Sequence, residues 1–326
     1  MLNRLGAVTT GYALSPPQGG HNLFEDAKVA RHLRSVVGDV RDLPALRAAA
    51  IAAQPEIVLH LAAQSLVLAS YEAPLDTFAT NVMGTANLLQ VAREVPSVRA
   101  VVVVTSDKVY RNREWTWGYR ENDELGGRDP YSSSKACAEM VCASFRASFL
   151  AAKGIGTATA RAGNVIGGGD WAVHRIVPDF VRAALAKKAV SIRNPDSVRP
   201  WQHLLEPLEG YLILAERLAA DHARWGGAWN FGPSTDAVQS VGQLVTDLVA
   251  RWGEDSAWVH EHTNQPHEAT LLTLDAAKAR QDLGWSTRLG YAAAVQLTVD
   301  WYKAFSRGED LEATTLRQID SYLMGA

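Results

Sequence analysis

The sequence predicts an α/β fold, with a doubly wound parallel sheet in the first half and a smaller lobe in the second. Four strand-like segments alternate with helical patterns over the first half of the 326 residues, an order that gives parallel strands joined by helical crossovers. These strand segments are continuously apolar, as expected where helices cover both faces of a sheet. After about residue 165 the alternation stops, and glycine- and proline-rich loops such as "IGGGDW" and "IRNPDSVRPW" separate the helices.

The individual elements follow from the apolar pattern of each segment. Strands are predicted at residues 7–14, 35–40, 56–63 and 100–106, and helices at 43–54 and 75–95. One face of the second helix carries, at helical spacing, Phe78, Val82, Ala86 and Leu89. In the second half, helices are predicted at 240–253, 275–285 and 291–305, and a strand at 257–262.

This order of elements indicates a Rossmann-like, dinucleotide-binding domain over residues 1–165. Residues 166–326 should form mainly a substrate-binding lobe, from which a segment near 203–232 returns to the first domain. A dinucleotide-binding sheet normally opens with a strand and a glycine-rich turn that holds the pyrophosphate. Here the strand at 7–14 follows a stretch that resembles the end of a helix, and no such turn accompanies it. We therefore expect the first βα unit of the domain to be absent from this chain.

Composition excludes several classes of function. The formal net charge of −3 gives no electrostatic footprint for nucleic acid or an anionic membrane. No apolar run approaches the length of a membrane span, and residues 1–17 lack the small-residue cleavage site of a signal peptide. Cys137 and Cys142 are the two cysteines and do not suggest a disulfide framework. A cytoplasmic protein is expected.

A metal site is not expected either. His260, Glu261, His262 and His267 lie close together in the sequence. The stretch "AWVHEH" alternates as a strand does, however, and no cysteine joins it.

The most apolar strand ends in polar residues of opposite charge. In "VVVVTSDKVY" the valines are followed directly by Thr105, Ser106, Asp107 and Lys108. Ligands of doubly wound sheets bind at the carboxyl ends of the strands, so this position suits chemistry. The alternative is an ordinary ion pair on a solvated strand end, which is common and contributes little.

A second signal lies one long loop downstream. Tyr131 and Lys135 are four residues apart and share one face of a predicted helix. A lysine ammonium beside a phenol favours the phenolate and lowers its pKa, which would make Tyr131 a base near neutral pH. Together with the hydroxyls at the strand end, this pair could bind and deprotonate one substrate hydroxyl.

Several motifs together resemble a known family. The segments "GDVRD", "HLAAQS", "NVMGTANLL", "VVVVTSDKVY", "YSSSK" and "RAGNVIGGGDW" are similar to those of extended short-chain dehydrogenases/reductases that act on nucleotide sugars. The segments "GYALSPP", "RPWQHLLEPLEGY" and "PHEATLLTLD" resemble, more narrowly, the branch of this family that removes water from CDP-glucose. The resemblance implies NAD as the cofactor and CDP-glucose as the nucleotide-sugar substrate.

The resemblance also implies roles for individual residues. Tyr131 would be the base, Lys135 its partner and ribose ligand, and Ser106 a hydrogen-bond partner of the sugar hydroxyl. The implied catalytic residues are Ser106, Asp107, Lys108, Tyr131 and Lys135. The implied cofactor-binding residues are Asp39, Val40, Leu61, Ala62, Ala63 and Thr105, together with Tyr131 and Lys135. The implied substrate-binding residues are Asn164, Arg175, Arg199 and His267.

The chemistry of such a dehydration requires an additional acid and an additional base, which Asp107 and Lys108 could provide. Oxidation of the sugar at C4 acidifies the C5 proton, so that a base can remove it while an acid protonates the departing C6 hydroxyl. Hydride then returns to C6, and the cofactor is regenerated. Asp107 and Lys108 would supply the additional acid and base, an interpretation that the sequence favours over the ion pair.

Three points stay open at this level. A 4-epimerase or reductase of the same fold would not need Asp107 and Lys108, and an inactive nucleotide-sugar-binding protein is a further alternative. The residues do not separate NAD from NADP, because strand 7–14 ends without an acidic residue for the adenosine ribose.

A homodimer is also expected. The helical segments 75–95 and 131–150 are apolar beyond one stripe, and such helices need a second partner. Their contact with another subunit would cover Phe145 and Phe149.

Overall fold

The computed structural model describes residues 1–233, 237–253, 256–261 and 271–325. Within these ranges the strands are β1 (Thr10–Ala13), β2 (Arg34–Val37), β3 (Ile57–His60), β4 (Ala100–Val104), β5 (Gly156–Ala162), β6 (Val165–Ile166), β7 (Ala189–Ile192), β8 (Val198–Pro200), β9 (Gln202–His203), β10 (Gly227–Phe231), β11 (Val238–Ser240) and β12 (Ala257–His260).

The α-helices of the described residues are α1 (Leu23–Asp26), α2 (Leu43–Ala53), α3 (Val67–Glu72), α4 (Pro74–Phe78), α5 (Gly84–Ala92), α6 (Pro130–Phe145), α7 (Ile176–Leu185), α8 (Leu205–Ala220), α9 (His222–Trp225), α10 (Val241–Trp252), α11 (Tyr291–Ser306) and α12 (Leu311–Leu323). A π-helical segment, Ala79–Met83, joins α4 to α5, and another, Arg146–Leu150, continues α6.

The main sheet consists of parallel strands in the order β10–β5–β4–β3. Strand β4 is central, and Val101, Val102 and Val103 are at most 1% exposed. Their burial on both faces explains why this segment of the sequence is continuously apolar. Helix α8 packs against β4 and leads to β10, which pairs with β5, so the chain rejoins the main sheet after α8. The predicted parallel α/β fold is confirmed.

The first two strands differ from the prediction of one continuous sheet. Strand β1 pairs with β2 in a separate parallel sheet. Tyr12 of β1 nevertheless packs into the same apolar core as Val58 of β3 and Val101 of β4. The two sheets therefore share one core without sharing a ladder of hydrogen bonds.

The strands are also shorter than the apolar runs that predict them, because side chains at their ends bind the backbone. After β4, the hydroxyl of Ser106 accepts a hydrogen bond from the backbone N–H of Lys108 at 3.1 Å and caps a short 3₁₀ turn at Asp107–Val109. After β2, the carboxylate of Asp39 accepts one from the N–H of Arg41 at 2.8 Å. Such local bonds compete with strand hydrogen bonding.

The second lobe has a core of its own. Helices α7, α10 and α11 enclose it with buried side chains that include Phe180, Leu244, Val295 and Trp301. Strands β7 and β12 pair in parallel at its edge. Two residues discussed above, His262 and His267, lie outside the described residues.

Two further findings concern the described part of the chain. No helix in it is long and apolar enough to span a membrane. Its histidine, cysteine and carboxylate side chains form no group of three that could hold a metal ion.

Candidate active site

A cavity of about 730 Å³ opens at the carboxyl ends of β4 and β5, between the main sheet and the second lobe. This is the position at which parallel α/β sheets bind ligands. Residues predicted for catalysis or substrate binding that line the cavity are Ser106, Asp107, Lys108, Tyr131, Asn164, Arg175 and Arg199. The fold therefore brings together residues that are up to 93 positions apart in the sequence, from Ser106 to Arg199.

Tyr131 is placed by the start of helix α6. Asp129 caps this helix, and its carboxylate and the Ser132 hydroxyl bind each other's backbone N–H groups in a capping box. The N–H of Tyr131 itself donates to the hydroxyl of the buried Ser70 at 3.2 Å. These bonds hold the tyrosine at the cavity wall, on the first turn of a 16-residue helix.

The electrostatic environment of Tyr131 differs from the expectation. Burial raises its pKa to about 12, and the interaction with the Ser106 side chain only partly opposes that rise. The desolvation cost of a buried phenolate exceeds the attraction expected from Lys135. The prediction that Lys135 lowers the pKa of Tyr131 is therefore wrong, because burial shifts this pKa upward.

Lys135 lies behind the cavity, one helical turn beyond Tyr131. Its side chain is buried, and Nζ donates a hydrogen bond to the carbonyl oxygen of Val104 at 3.1 Å. Burial lowers the pKa of Lys135 to about 8, while the negative charge of Glu139 opposes that shift. The ammonium is thus held at the end of β4, directly beneath the strand-end residues.

Glu139 was not predicted, although it continues the Tyr131 and Lys135 face by one more helical turn. Its buried carboxylate accepts hydrogen bonds from Thr105 Oγ1 at 2.5 Å, from Thr159 Oγ1 at 2.6 Å and from the Arg161 guanidinium at 2.9 and 2.8 Å. Arg161 also donates to the hydroxyl of Tyr110 at 2.7 Å. This network ties β4, β5 and α6 together below the cavity. The four-residue spacing was a signal for Glu139 itself, but not for its partners on the strands.

Asp107 is not a solvated strand-end charge. It is 3% exposed, its Oδ1 accepts a hydrogen bond from the Ser106 hydroxyl at 3.0 Å, and its Oδ2 has no hydrogen-bond partner. Burial raises the pKa of this carboxyl, and the nearby positive charge of Lys108 offsets only part of the rise. A buried, incompletely satisfied carboxyl at a cavity wall is typical of a functional group rather than of a surface ion pair.

Three of the residues predicted to bind substrate, Asn164, Arg175 and Arg199, line the same cavity. The Arg175 guanidinium donates to Asp170 at 2.9 Å and to Ser65 Oγ at 2.7 Å, and so spans from the second lobe to the loop after β3. Arg199 is 5% exposed and lies close enough to lower the pKa of Asp107. Asn164 has a left-handed backbone, with φ of 49°. His267 lies outside the described residues.

Five of the predicted cofactor residues lie outside this cavity, in the segments after β2 and β3. Asp39 and Val40 follow β2, and the Asp39 carboxylate is bound by the Arg41 guanidinium at 2.6 Å. Leu61, Ala62 and Ala63 follow β3, and Leu61 is 50% exposed. The cavity lining includes Thr105 and Tyr131 but not these five residues or Lys135.

A buried histidine near this group was also missed. His60 ends β3, and its Nε2 lies 3.1 Å from Thr85 Oγ1. Burial, together with the positive charge of Lys135, lowers its pKa to about 3. His60 is therefore neutral, and it could not have been separated from an ordinary core histidine in the sequence.

Comparison with known proteins gives relatives over a range of sequence identities. The sequence profile for GDP-mannose 4,6 dehydratase matches residues 17–298. The chain is 47% identical to CDP-glucose 4,6-dehydratase of Salmonella typhimurium, over 99% of this chain and 91% of that protein. It is 24% identical to dTDP-glucose 4,6-dehydratase 1 of Escherichia coli, over 83% of this chain and 79% of that protein.

Solved structures share the fold at lower identity. That of dTDP-glucose 4,6-dehydratase from Bacillus anthracis, in complex with NAD, has a TM-score of 0.77 at 20% identity and covers 96% of this chain and 93% of that one. That of UDP-glucose 4-epimerase from Thermotoga maritima, with UDP-glucose, has a TM-score of 0.80 at 20% identity and covers 93% of both chains. These structures establish the fold, which by itself does not separate dehydration from epimerisation.

Replacing Lys135 by Met should remove a pH dependence of stability. The folded-state pKa is about 8 and the ordinary value is 10.5, so the unfolded state binds more protons between these values. The free energy of unfolding of the parent should therefore rise across this window relative to that of Lys135→Met, by roughly 1.4 kcal/mol per unit of pKa depression. At pH values below this window, the folded protein bears the full free-energy cost of burying the Lys135 ammonium. Above the window the lysine is neutral in both states, and this cost is absent.

Urea titrations of the parent and the variant on either side of the window measure this difference. The matched control is Lys153→Met, because Lys153 is exposed and also donates to a backbone carbonyl, that of Arg93. A parent-to-variant difference for Lys135→Met that stays constant with pH would contradict the depressed pKa.

Proposed function

Because the chain belongs to the GDP-mannose 4,6-dehydratase family, we propose that it converts CDP-glucose to CDP-4-keto-6-deoxyglucose. The reaction is an oxidation at C4, loss of water across C5 and C6, and return of hydride to C6. The observation that carries the proposal is the buried Asp107 carboxyl beside Lys108, in the same cavity wall as Tyr131. The relative of 47% identity supports cytidine diphosphate as the carrier of the sugar.

NAD is the proposed cofactor, and the residues present fit it. Lys135 donates one hydrogen bond to Val104, and an ammonium has further N–H donors for ribose hydroxyls. The half-exposed, apolar Leu61 and the two alanines after it would lie against the cofactor, and Asp39 would reach its adenine. When bound, NAD accepts hydride from C4 of the sugar and gives it back at C6. We assign the cofactor to residues 1–165 and the sugar nucleotide mainly to residues 166–326.

Tyr131 and Ser106 would act on the C4 hydroxyl. The tyrosine is the group at the cavity wall that can remove the hydroxyl proton, and the Ser106 side chain already interacts with it. Since burial raises the pKa of Tyr131 to about 12, positive charge must be supplied to favour the phenolate. Lys135 below the tyrosine is one source of it, and a cationic nicotinamide is another.

Asp107 and Lys108 would carry out the elimination. The raised pKa of the buried Asp107 carboxyl favours the protonated form, which suits an acid that protonates the departing C6 hydroxyl. Lys108 is then the group available to remove the C5 proton, once its own ammonium has lost a proton beside the cationic nicotinamide. The two electrons of the C5–H bond form the C5–C6 double bond, and water leaves from C6.

The alternative functions lack a specific observation in their favour. A 4-epimerase or reductase has no need for an acid at C6. In such an enzyme the free-energy cost of burying the Asp107 carboxyl would serve no step of the reaction. An inactive binding protein remains one outcome of the experiments below.

We propose a homodimer in which the exposed face of α6 contacts a second copy. The exposed positions of this helix and its continuation are Met140, Ala143, Ser144, Ala147, Ser148 and Phe149. Leu75 and Met83, near α5, are 83% and 56% exposed. A face of small and apolar side chains suits close helix packing. Phe145, also expected at the contact, is partly buried and packs on the core of its own chain.

We propose that the dimer works in the cytoplasm. Both of its cysteines, Cys137 and Cys142, are free, as expected in a reducing compartment.

Incubation with NAD and CDP-glucose should give a 4-keto-6-deoxy product, followed by its absorbance in alkali. Tyr131→Phe should lower turnover by roughly 10²–10⁴-fold, the usual contribution of a general base, with CDP-glucose binding retained in calorimetry. The matched control is Tyr291→Phe, which removes a hydroxyl bound to Asp247 on α10, away from the cavity. An inactive parent, or full activity of Tyr131→Phe, would contradict the proposal, and faster turnover of UDP- or dTDP-glucose would overturn the choice of nucleotide.

Asp107→Asn and Lys108→Met should separate oxidation from dehydration. Tyr131 and Lys135 stay in place, so the C4 hydroxyl is still oxidised, but the C6 hydroxyl cannot leave. NADH absorbance should therefore accumulate in a single turnover, with the formation of 6-deoxy product slowed by roughly 10²–10⁴-fold. If both variants formed product at the parent rate without accumulating NADH, the two charges would have no catalytic role.

Ala147→Glu tests the dimer, because it places a charge in the proposed contact. Sedimentation velocity at micromolar concentration should give the mass of two chains for the parent and of one for the variant. Ala292→Glu, at an exposed position of α11, should remain dimeric. A parent protein with the mass of one chain would exclude this assembly.

A further inference from the structure

Gly163 is the first residue after β5, and Asp107 is the third residue after the neighbouring strand β4. The two residues face each other. A Cβ atom at position 163 would lie 1.9 Å from Asp107 Oδ2, 2.3 Å from its Cγ and 2.9 Å from its Cβ. Carbon atoms do not approach so closely, so the carboxyl occupies the space that any other residue at position 163 would fill. Both residues line the cavity.

The backbone does not explain the glycine. Gly163 is not among the residues with positive φ, whereas its neighbour Asn164 is, with φ of 49°. An L-amino acid could therefore adopt the backbone conformation of residue 163 without strain. What excludes a side chain here is the approach of Asp107.

The Asp107 carboxyl has little room to turn elsewhere. It is 3% exposed, and the Ser106 hydroxyl holds Oδ1 at 3.0 Å. Oδ2, the atom next to Gly163, has no hydrogen-bond partner. The hydrogen bond from Ser106 thus sets the direction of the carboxyl, and the missing side chain at Gly163 leaves the space that Oδ2 occupies. In a close-packed interior, a single added methyl group is enough to displace it.

We propose that Gly163 is the positioning residue for Asp107: by leaving room for the carboxyl, it makes the site remove water rather than only oxidise C4. This role rests on the proposed function, in which Asp107 gives its proton to the C6 hydroxyl as that group leaves as water. Gly163 contributes no chemistry of its own. A side chain at position 163 turns the acid away from C6, while Tyr131 and Lys135, on α6, stay where they are.

The contact itself is tested without cofactor or substrate, by the thermal unfolding of Gly163→Ala, Asp107→Ala and the double variant. Gly163→Ala should lower the unfolding temperature by several degrees. Relative to Asp107→Ala, the double variant should lose much less than Gly163→Ala loses relative to the parent, because of the three atoms that the methyl group meets only Asp107 Cβ, at 2.9 Å, remains. Gly126→Ala is the control, since Gly126 also lacks a positive φ and its Cβ would meet nothing closer than 3.4 Å. Equal destabilisation by Gly163→Ala in both backgrounds would overturn the contact.

The role is tested in single turnovers with NAD and CDP-glucose. Gly163→Ala should accumulate NADH as Asp107→Asn does, with the formation of 6-deoxy product slowed by roughly 10²-fold or more. Adding Gly163→Ala to Asp107→Asn should slow product formation no further, because the acid is already lost. A loss of C4 oxidation together with dehydration would indicate general damage to the site and overturn the role. If the parent showed no turnover but the effects of Gly163→Ala and Asp107→Ala on thermal unfolding were still non-additive, the proposed function would be overturned. The contact between the two residues would stand.

Discussion

The geometry of the site depends on one buried ion pair, that of Glu139 with Arg161. The carboxylate receives four hydrogen bonds, two from the guanidinium and one each from Thr105 and Thr159. An uncompensated charge at 4% exposure would be strongly destabilising. Because its partners come from β4 and β5 while Glu139 belongs to α6, satisfying this charge fixes the helix against both strand ends. Tyr131 and Lys135, earlier on the same helix face, are positioned by the same constraint.

Burial then sets the protonation of the groups around the cavity. It lowers the pKa of Lys135 and of His60, and it raises that of Tyr131 and of Asp107. Each shift favours the neutral form, as expected in a poorly solvated environment. A site of this kind responds strongly to charge introduced by a ligand, since little water is present to screen it. In the proposed function, proton transfer at Tyr131 is therefore coupled to what binds beside it.

The family likeness and the site chemistry carry different information. A dehydratase and an epimerase align with this chain at TM-scores of 0.77 and 0.80, so the scaffold does not distinguish their reactions. In the proposed function, the distinction lies in two small features at the strand ends, the Asp107 carboxyl after β4 and Gly163 opposite it after β5. Such features change the reaction without changing the fold.

The sequence by itself determined the parallel α/β class, the helices α2, α5, α6, α10 and α11, and eight of the polar residues that line the cavity, from Thr105 to Arg199. It could do so because burial on two faces leaves continuous apolar runs, and because Tyr131 and Lys135 share a local helical spacing. Tertiary structure alone decided which charges are buried. The sequence around Asp107 is equally compatible with a solvent-exposed carboxylate at the end of a strand. It also decided the separation of β1 and β2 from the main sheet, the partners of Glu139 and the space beside Gly163. All of these depend on contacts between distant segments, which no local pattern in the chain encodes.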